Sequence, residues 1–185
     1  ADANATFFLN AAVTEVVADG ARCRVATEED EVFSFDRVVV ALPLGVLQAR
    51  AVAFDPPLDE AALLGRGAGV AEKYVLYFTN VFWEDVDFLF TVEPDPLEWL
   101  NLDRALGQPA LACFTAGSLA LEIAELSDVD KEAFLVAALE RMYPTANVTV
   151  VASAFSSWHD DDRTLGGWSF VRPGTDYPSN HAALR

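Results

Sequence analysis

The chain has 185 residues, 52% of them hydrophobic and 11% aromatic, which is enough for one good core and a small second lobe and too much for a disordered chain. Its formal net charge of −17 argues against nucleic acid or an anionic membrane surface as a partner and favours cationic ones. No run of about 18 apolar residues exists to span a membrane, and ADANATFFLN at the start lacks the basic opening of a signal peptide, so the cytoplasm is the default compartment.

Residues 6 to 40 read as strands. TFFLNAAVTEVV ends at Ala18-Asp19-Gly20, and Asp-Gly is a hairpin signal. RCRVAT returns, an acidic turn follows, and VFSF makes a third short strand. VVVAL, Val38–Leu42, is a continuous, mostly β-branched run ended by Pro43, the pattern of a strand buried on both faces in a parallel sheet. Pro56-Pro57 enforces an extended break, and a short helix is expected from Asp59 to Leu64, ended by Gly65, Gly67 and Gly69.

VAEKYVLYFTNVFWED, residues 70 to 85, carries the oddest feature. By period two, Lys73, Val75 and Tyr77 share one face of a strand, and Tyr74, Leu76 and Phe78 the other. Both faces are apolar, so the strand reads as covered on both sides, yet a lysine stands at its head. Either Lys73 snorkels from the strand end to water, or it is drawn inward for a purpose.

DFLFTV, EWLNL and ALACFTA read as further strands. A helix is expected from about Leu119 to Glu125 and a better-signed one from Asp128 to Met142. Ser127 with Asp130 three later resembles a capping box, Phe134, Leu135, Ala138, Leu139 and Met142 form an apolar stripe, and Pro144 follows. VTVVASAF is a strand, and residues 156 to 174 read as a polar, glycine-bearing loop. Cys23 and Cys113 stand too far apart for a disulfide framework or a metal spacing, and His159 and His181 add no zinc pattern. The sequons at Asn4 and Asn147 are read as chance.

No single motif here carries chemistry: there is no G-x-G-x-x-G, phosphate loop or nucleophile elbow. Each tryptophan alone is as well explained by packing as by a site. Taken together, however, LNAAVTEV (9–16), FDRVVVALPLGVLQ (35–48), FDPPL (54–58), GVAEKYVLYFTNVFW (69–83) and WHDDDRTLGGWSF (158–170) resemble the flavin-containing amine oxidase family. That family includes polyamine oxidases and flavin-type histone lysine demethylases. The resemblance runs from about residue 6 to 172.

The resemblance implies an α+β fold: a mixed-sheet substrate domain flanked by helices, with a β-rich remnant of an FAD-binding domain. Residues 1–47 would be the partial FAD domain, 48–157 the substrate domain, and 158–185 a loop returning towards the FAD domain. It implies FAD-dependent oxidation of a polyamine-like or secondary amine, by hydride transfer to flavin and reoxidation by dioxygen. Lys73 matches the family's lysine that reaches the flavin through a water, where partial burial would desolvate it. Val13, Ala41, Leu42, Pro43 and Trp158 match cofactor-contacting positions, and Trp168 matches an aromatic of the substrate cavity. No metal is implied.

The chain departs from the pattern in lacking the G-x-G-x-x-G and the family's C-terminal flavin segment, so it is expected to be part of a longer enzyme and not to hold FAD tightly alone. Asp162 stands where proline is usual, and Trp168 where tyrosine is usual. The alternative is a catalytically inactive fragment, or a module of the same fold that binds an amine or basic peptide.

Overall fold

Turn chemistry and strand period account for the first part of the chain in the computed structural model, which describes residues 5–92 and 94–176. Asn4 and His181 lie outside the described residues. Strands β1 (Val13–Ala18), β2 (Cys23–Thr27) and β3 (Val32–Phe35) form an antiparallel meander. At its first turn the Asp19 carboxylate accepts the N–H groups of Ala21 and Arg22, both at 2.9 Å, and Gly20 takes a φ of 88°. The N–H of Arg22, then that of Ala21, holds the Asp19 carboxyl below its ordinary value.

Helix α1 (Leu44–Gln48), strand β4 (Ala53–Asp55) and helix α2 (Glu60–Leu64) follow. Asp59 caps α2 by accepting the N–H of Ala62 at 2.8 Å. The Gln48 amide donates to the carbonyls of Leu63 and Arg66, both at 2.8 Å, and β4 pairs parallel with β1. These bonds keep residues 48 to 67 with the strands before them. The chain divides into two compact units, one of residues up to Gly67 and from Phe170 on, the other Ala68–Ser169.

Two strand expectations fail in the first unit. Residues 6 to 12 are not strand, and β1 begins only at Val13. Val38–Leu42 is not strand either; Val39 is 91% exposed. A β-branched run supplies the side chains of a buried strand but not its ladder, and no described residue pairs with this one.

Strands β5 (Arg66–Gly69) and β11 (Trp168–Val171) pair with each other, and the chain passes from one unit to the other within each. The second unit is built on β6 (Ala71–Phe78), β7 (Phe88–Phe90), β8 (Glu98–Asn101), β9 (Ala110–Ala116) and β10 (Val150–Phe155), in the order β10-β6-β9-β8-β7. All four pairings are antiparallel. Helices α3 (Asp103–Leu106), α4 (Gly117–Ala124) and α5 (Asp128–Met142) complete it. Short α3 and β11 carry no strong sequence signal and were not expected.

Helix α5 matches its expected span because every local rule agrees. The Ser127 hydroxyl accepts the Asp130 N–H at 3.2 Å, Asp128 and Asp130 lie in the first turn, and Arg141 lies in the last. Its buried Leu135, Ala138 and Leu139 pack with Tyr74, Leu76, Phe78, Trp99, Leu111, Cys113 and Ile123 into one core against one face of the sheet. Cys113 is a free thiol that burial pushes far above its ordinary pKa. The fold class is α+β as expected, and no described helix is long and apolar enough to cross a membrane.

The period-two reading of β6 is right, but the expectation that both its faces are covered is not. Glu72, Tyr74, Leu76 and Phe78 are buried in the core, whereas Val75 and Tyr77 are half-buried and Lys73 is exposed. An antiparallel sheet tolerates one face without a covering layer, which a parallel one does not. Partial burial of Lys73 is therefore absent among the described residues.

Candidate functional site

Lys73 lies on the partly open face of the five-stranded sheet. The register sets Phe90, Glu98, Phe114 and Lys73 opposite one another across β7, β8, β9 and β6. Directly opposed residues of antiparallel strands share a face and stand within side-chain reach. The Lys73 ammonium sits 4.8 Å from the centre of the Phe114 ring, a cation–π contact. Glu98 is an exposed carboxylate flanked in register by the Phe90 and Phe114 rings, and Phe90 stacks on Phe88 at 6.3 Å. The row alternates charge and ring: a cation, an aromatic, an anion, an aromatic.

The charge buried in this strand is the neighbour of the lysine. Glu72 is 1% exposed, and no carboxylate stays ionised at that depth without donors. It has four. Its Oε2 accepts the Ser156 hydroxyl at 2.7 Å and the Trp158 N–H at 3.1 Å, and its Oε1 meets the His159 N–H at 3.2 Å and the His159 Nδ1 at 2.9 Å. Burial alone would raise the carboxyl pKa; the bonds from Ser156, His159 and Trp158 outweigh it and hold the group below its ordinary value. Beside it, burial pushes the Tyr74 phenol up to about 12.

Ser156 joins this cluster to Lys73. Its hydroxyl accepts the Lys73 N–H at 2.8 Å while donating to Glu72, and its N–H donates to the Lys73 carbonyl at 2.9 Å. The loop then closes on itself: the Trp158 carbonyl accepts the Gly166 N–H at 2.9 Å and the Thr164 hydroxyl. Both main-chain groups of Trp158 are thus engaged, while its side chain is 44% exposed beside a shallow depression lined by Ser156, Ser157, Asp160 and Asp161. Trp168, on β11, is 71% exposed.

Gly166 and Gly167 seat the loop on the strand before β6. Gly166 has a φ of +143°, and a Cβ on Gly167 would lie 2.4 Å from the Ala71 carbonyl oxygen. In the first unit, Val13 opens β1 half-buried, Ala41 is exposed, and Leu42 and Pro43 are half-buried, with Pro43 at the N-cap of α1.

The main chains of Lys73 and Trp158 are brought together in the second unit. Sequence reasoning missed Glu72, Glu98, Phe90 and Phe114. The period-two pattern already placed Glu72 on the face of Tyr74, Leu76 and Phe78, so a carboxylate among core residues was readable. The Glu98 row depends on strand register, which no local pattern specifies.

Comparison with known proteins gives a consistent result. The family model described as flavin containing amine oxidoreductase matches residues 1–184. Polyamine oxidase 3 of Oryza sativa subsp. japonica is 35% identical over 164 residues, covering 85% of this chain and 34% of that protein. Lysine-specific histone demethylase 2 of Homo sapiens is 27% identical over 169 residues, covering 84% of this chain and 21% of that protein. Cyclohexylamine oxidase from Brevibacterium oxydans IH-35A shares the fold at a TM-score of 0.82 and 18% identity, over 97% of this chain and 41% of that one. The chain spans about a third of the length of the polyamine oxidases it matches. With the family model matching over nearly its whole length, the chain belongs to the flavin containing amine oxidoreductase family.

Proposed function

We propose that the chain takes part in FAD-dependent oxidation of a polyamine-like or secondary amine, as part of a longer enzyme. The observation that carries this reading is the row Phe90, Glu98, Phe114 and Lys73 on the partly open sheet face. An amine loses hydride from its α-carbon only as the neutral base, since an ammonium has no lone pair to stabilise the developing iminium. Ring faces such as Phe114 and Phe90 orient the nitrogen, and closing the site against water favours the neutral form. Glu98 between them suits a second, charged nitrogen of the same molecule, which narrows the substrate class to amines with two or more nitrogens.

The family membership implies a flavin. Within the second unit the exposed indoles of Trp158 and Trp168 suit a flat apolar ring system; within the first, Val39 and Val40, leading into Ala41–Pro43, are apolar and open to solvent. Val13, Ala41, Leu42, Pro43 and Trp158 are the proposed cofactor contacts, and Trp168 the proposed substrate contact. A bound flavin would supply the hydride acceptor and the route for the electrons to dioxygen. Lys73 is proposed to hold a water beside it. Residues 1–47 and 158–185 would then serve the FAD domain, and 48–157 the substrate domain.

The test, made in the longer enzyme that carries this chain, is flavin content and hydrogen peroxide release with a polyamine, with a monoamine and with a methylated lysine peptide. Bound FAD and peroxide from the polyamine support the reading, and Lys73→Met should slow reoxidation by dioxygen more than anaerobic reduction by amine. A flavin-free protein that binds amines without releasing peroxide would overturn it in favour of a binding module.

A further inference from the structure

The sheet does not need a carboxylate at position 72. An apolar side chain could fill the space beside Tyr74 without desolvation cost, and a buried ionised group is costly unless fully bonded. What the carboxylate does achieve is specific. Its four donors come from three consecutive features of one loop: the Ser156 hydroxyl, the Trp158 N–H, and the N–H and ring of His159. No donor to it comes from the neighbouring strands among the described residues. The His159 ring continues outward to Asp160 Oδ1 at 3.3 Å, so the loop is held at two depths.

We propose that Glu72 is a positioning residue: its buried carboxylate, with His159, fixes the Trp158 loop against the main chain of Lys73. The Ser156 hydroxyl is the shared part, since it donates to Glu72 and accepts from the Lys73 N–H. A displacement of the carboxylate therefore moves the attachment of Trp158 and the bonding of the Lys73 main chain together. Lys73 itself points to the opposite face, so Glu72 acts on the site through the backbone and not by touching a ligand. The consequence for a bound flavin rests on the function proposed above; the clamp itself rests only on this geometry.

The groups facing Glu72 are His159 from the loop, Tyr74 on its own strand and Thr115, its register partner on β9; Asp160 faces His159 from outside. Glu72→Gln keeps the shape but turns an NH₂ towards N–H donors that need an acceptor. The experiment follows amide hydrogen exchange in the full chain, comparing residues 157 to 161 with residues 132 to 141 of α5. In Glu72→Gln the loop amides should exchange roughly tenfold faster relative to those of α5, which report any global loss of stability; tenfold is the scale of one lost hydrogen bond to a charged group. His159→Ala, which leaves the main-chain bonds in place, should show the same effect more weakly and serves if the first variant does not fold.

Loop exchange that stays at the wild-type rate, or that rises only in step with α5, overturns the proposal, because a merely stabilising carboxylate would move both together. Flavin absorption is read separately, in the longer enzyme that carries this chain with Trp158→Phe. An unchanged spectrum there defeats the placing of Trp158 by the cofactor and leaves the exchange result to decide the clamp.

Discussion

The main-chain N–H of Trp158 donates to the Glu72 carboxylate at 3.1 Å, although 86 positions separate them in the chain. This bond links the strand that carries Lys73 to the loop that carries the indole, and it makes the buried charge of β6 a carboxylate. The lysine that looked anomalous in the sequence is the exposed partner of an aromatic ring. Its neighbour, unremarked in an acidic chain, is the residue whose ionisation the fold must support.

That ionisation makes the loop sensitive to acid. The Glu72 carboxyl is held below its ordinary value of 4.5, so the folded state favours the charged form. The stability this contributes is fully present above that ordinary value and is lost as pH falls through the lower folded one. The melting temperature of the wild type should therefore exceed that of Glu72→Gln at about pH 7, and the gap should narrow as pH is lowered below the ordinary value and through the folded one. A gap of constant size across a pH series of thermal melts would contradict this.

Gly167 should not tolerate a side chain. A Cβ there would meet the Ala71 carbonyl oxygen at 2.4 Å, which is backbone and has nowhere to yield. Gly167→Ala should cost about 1–3 kcal/mol, as overpacking does elsewhere, read as a lower urea midpoint. Gly20→Ala is the contrast, since nothing lies within 4 Å and the cost there comes from its φ of +88° alone, about 1–2 kcal/mol.

Helix α5 depends on its first residue outside the helix. Ser127 accepts the Asp130 N–H and donates to the Asp130 carboxylate at 2.6 Å. Ser127→Ala removes both bonds and should destabilise the second unit by about 1 kcal/mol, with Ser127→Asp restoring most of it. Chemical denaturation followed by circular dichroism would measure the difference.

Glu98 is the residue by which substrate charge can be tested. Glu98→Gln should raise KM roughly fivefold for an amine with a second ammonium, the scale of about 1 kcal/mol for a partly exposed ion pair. For a monoamine of similar size KM should change little. Equal effects on both substrates would remove Glu98 from substrate recognition.

Much of the fold was legible because local signals agree with the tertiary structure. The Asp19-Gly20 turn, the cap at Ser127 and the stripe of α5 each rest on chemistry within a few residues. The errors share one cause. Val38–Leu42 and the outer face of β6 were read as buried from apolar composition, but burial depends on what lies across from a strand, and composition does not specify that. The candidate site shows the same limit. Lys73 and Trp158 were found through their resemblance to family motifs, while the row from Phe90 to Lys73 emerged only from register. Glu72 is the instructive miss, because its place among core residues was visible from alternation alone.

The run Val38–Leu42 has a practical consequence. It is uncharged, mostly β-branched and left without a ladder, with Val39 and Val40 open to solvent. Such a ribbon is an adhesive edge: two copies of the chain can zip together along it, and a stack of copies can grow from there. Preparations of this chain by itself should cloud with concentration and clear when a lysine replaces Val39.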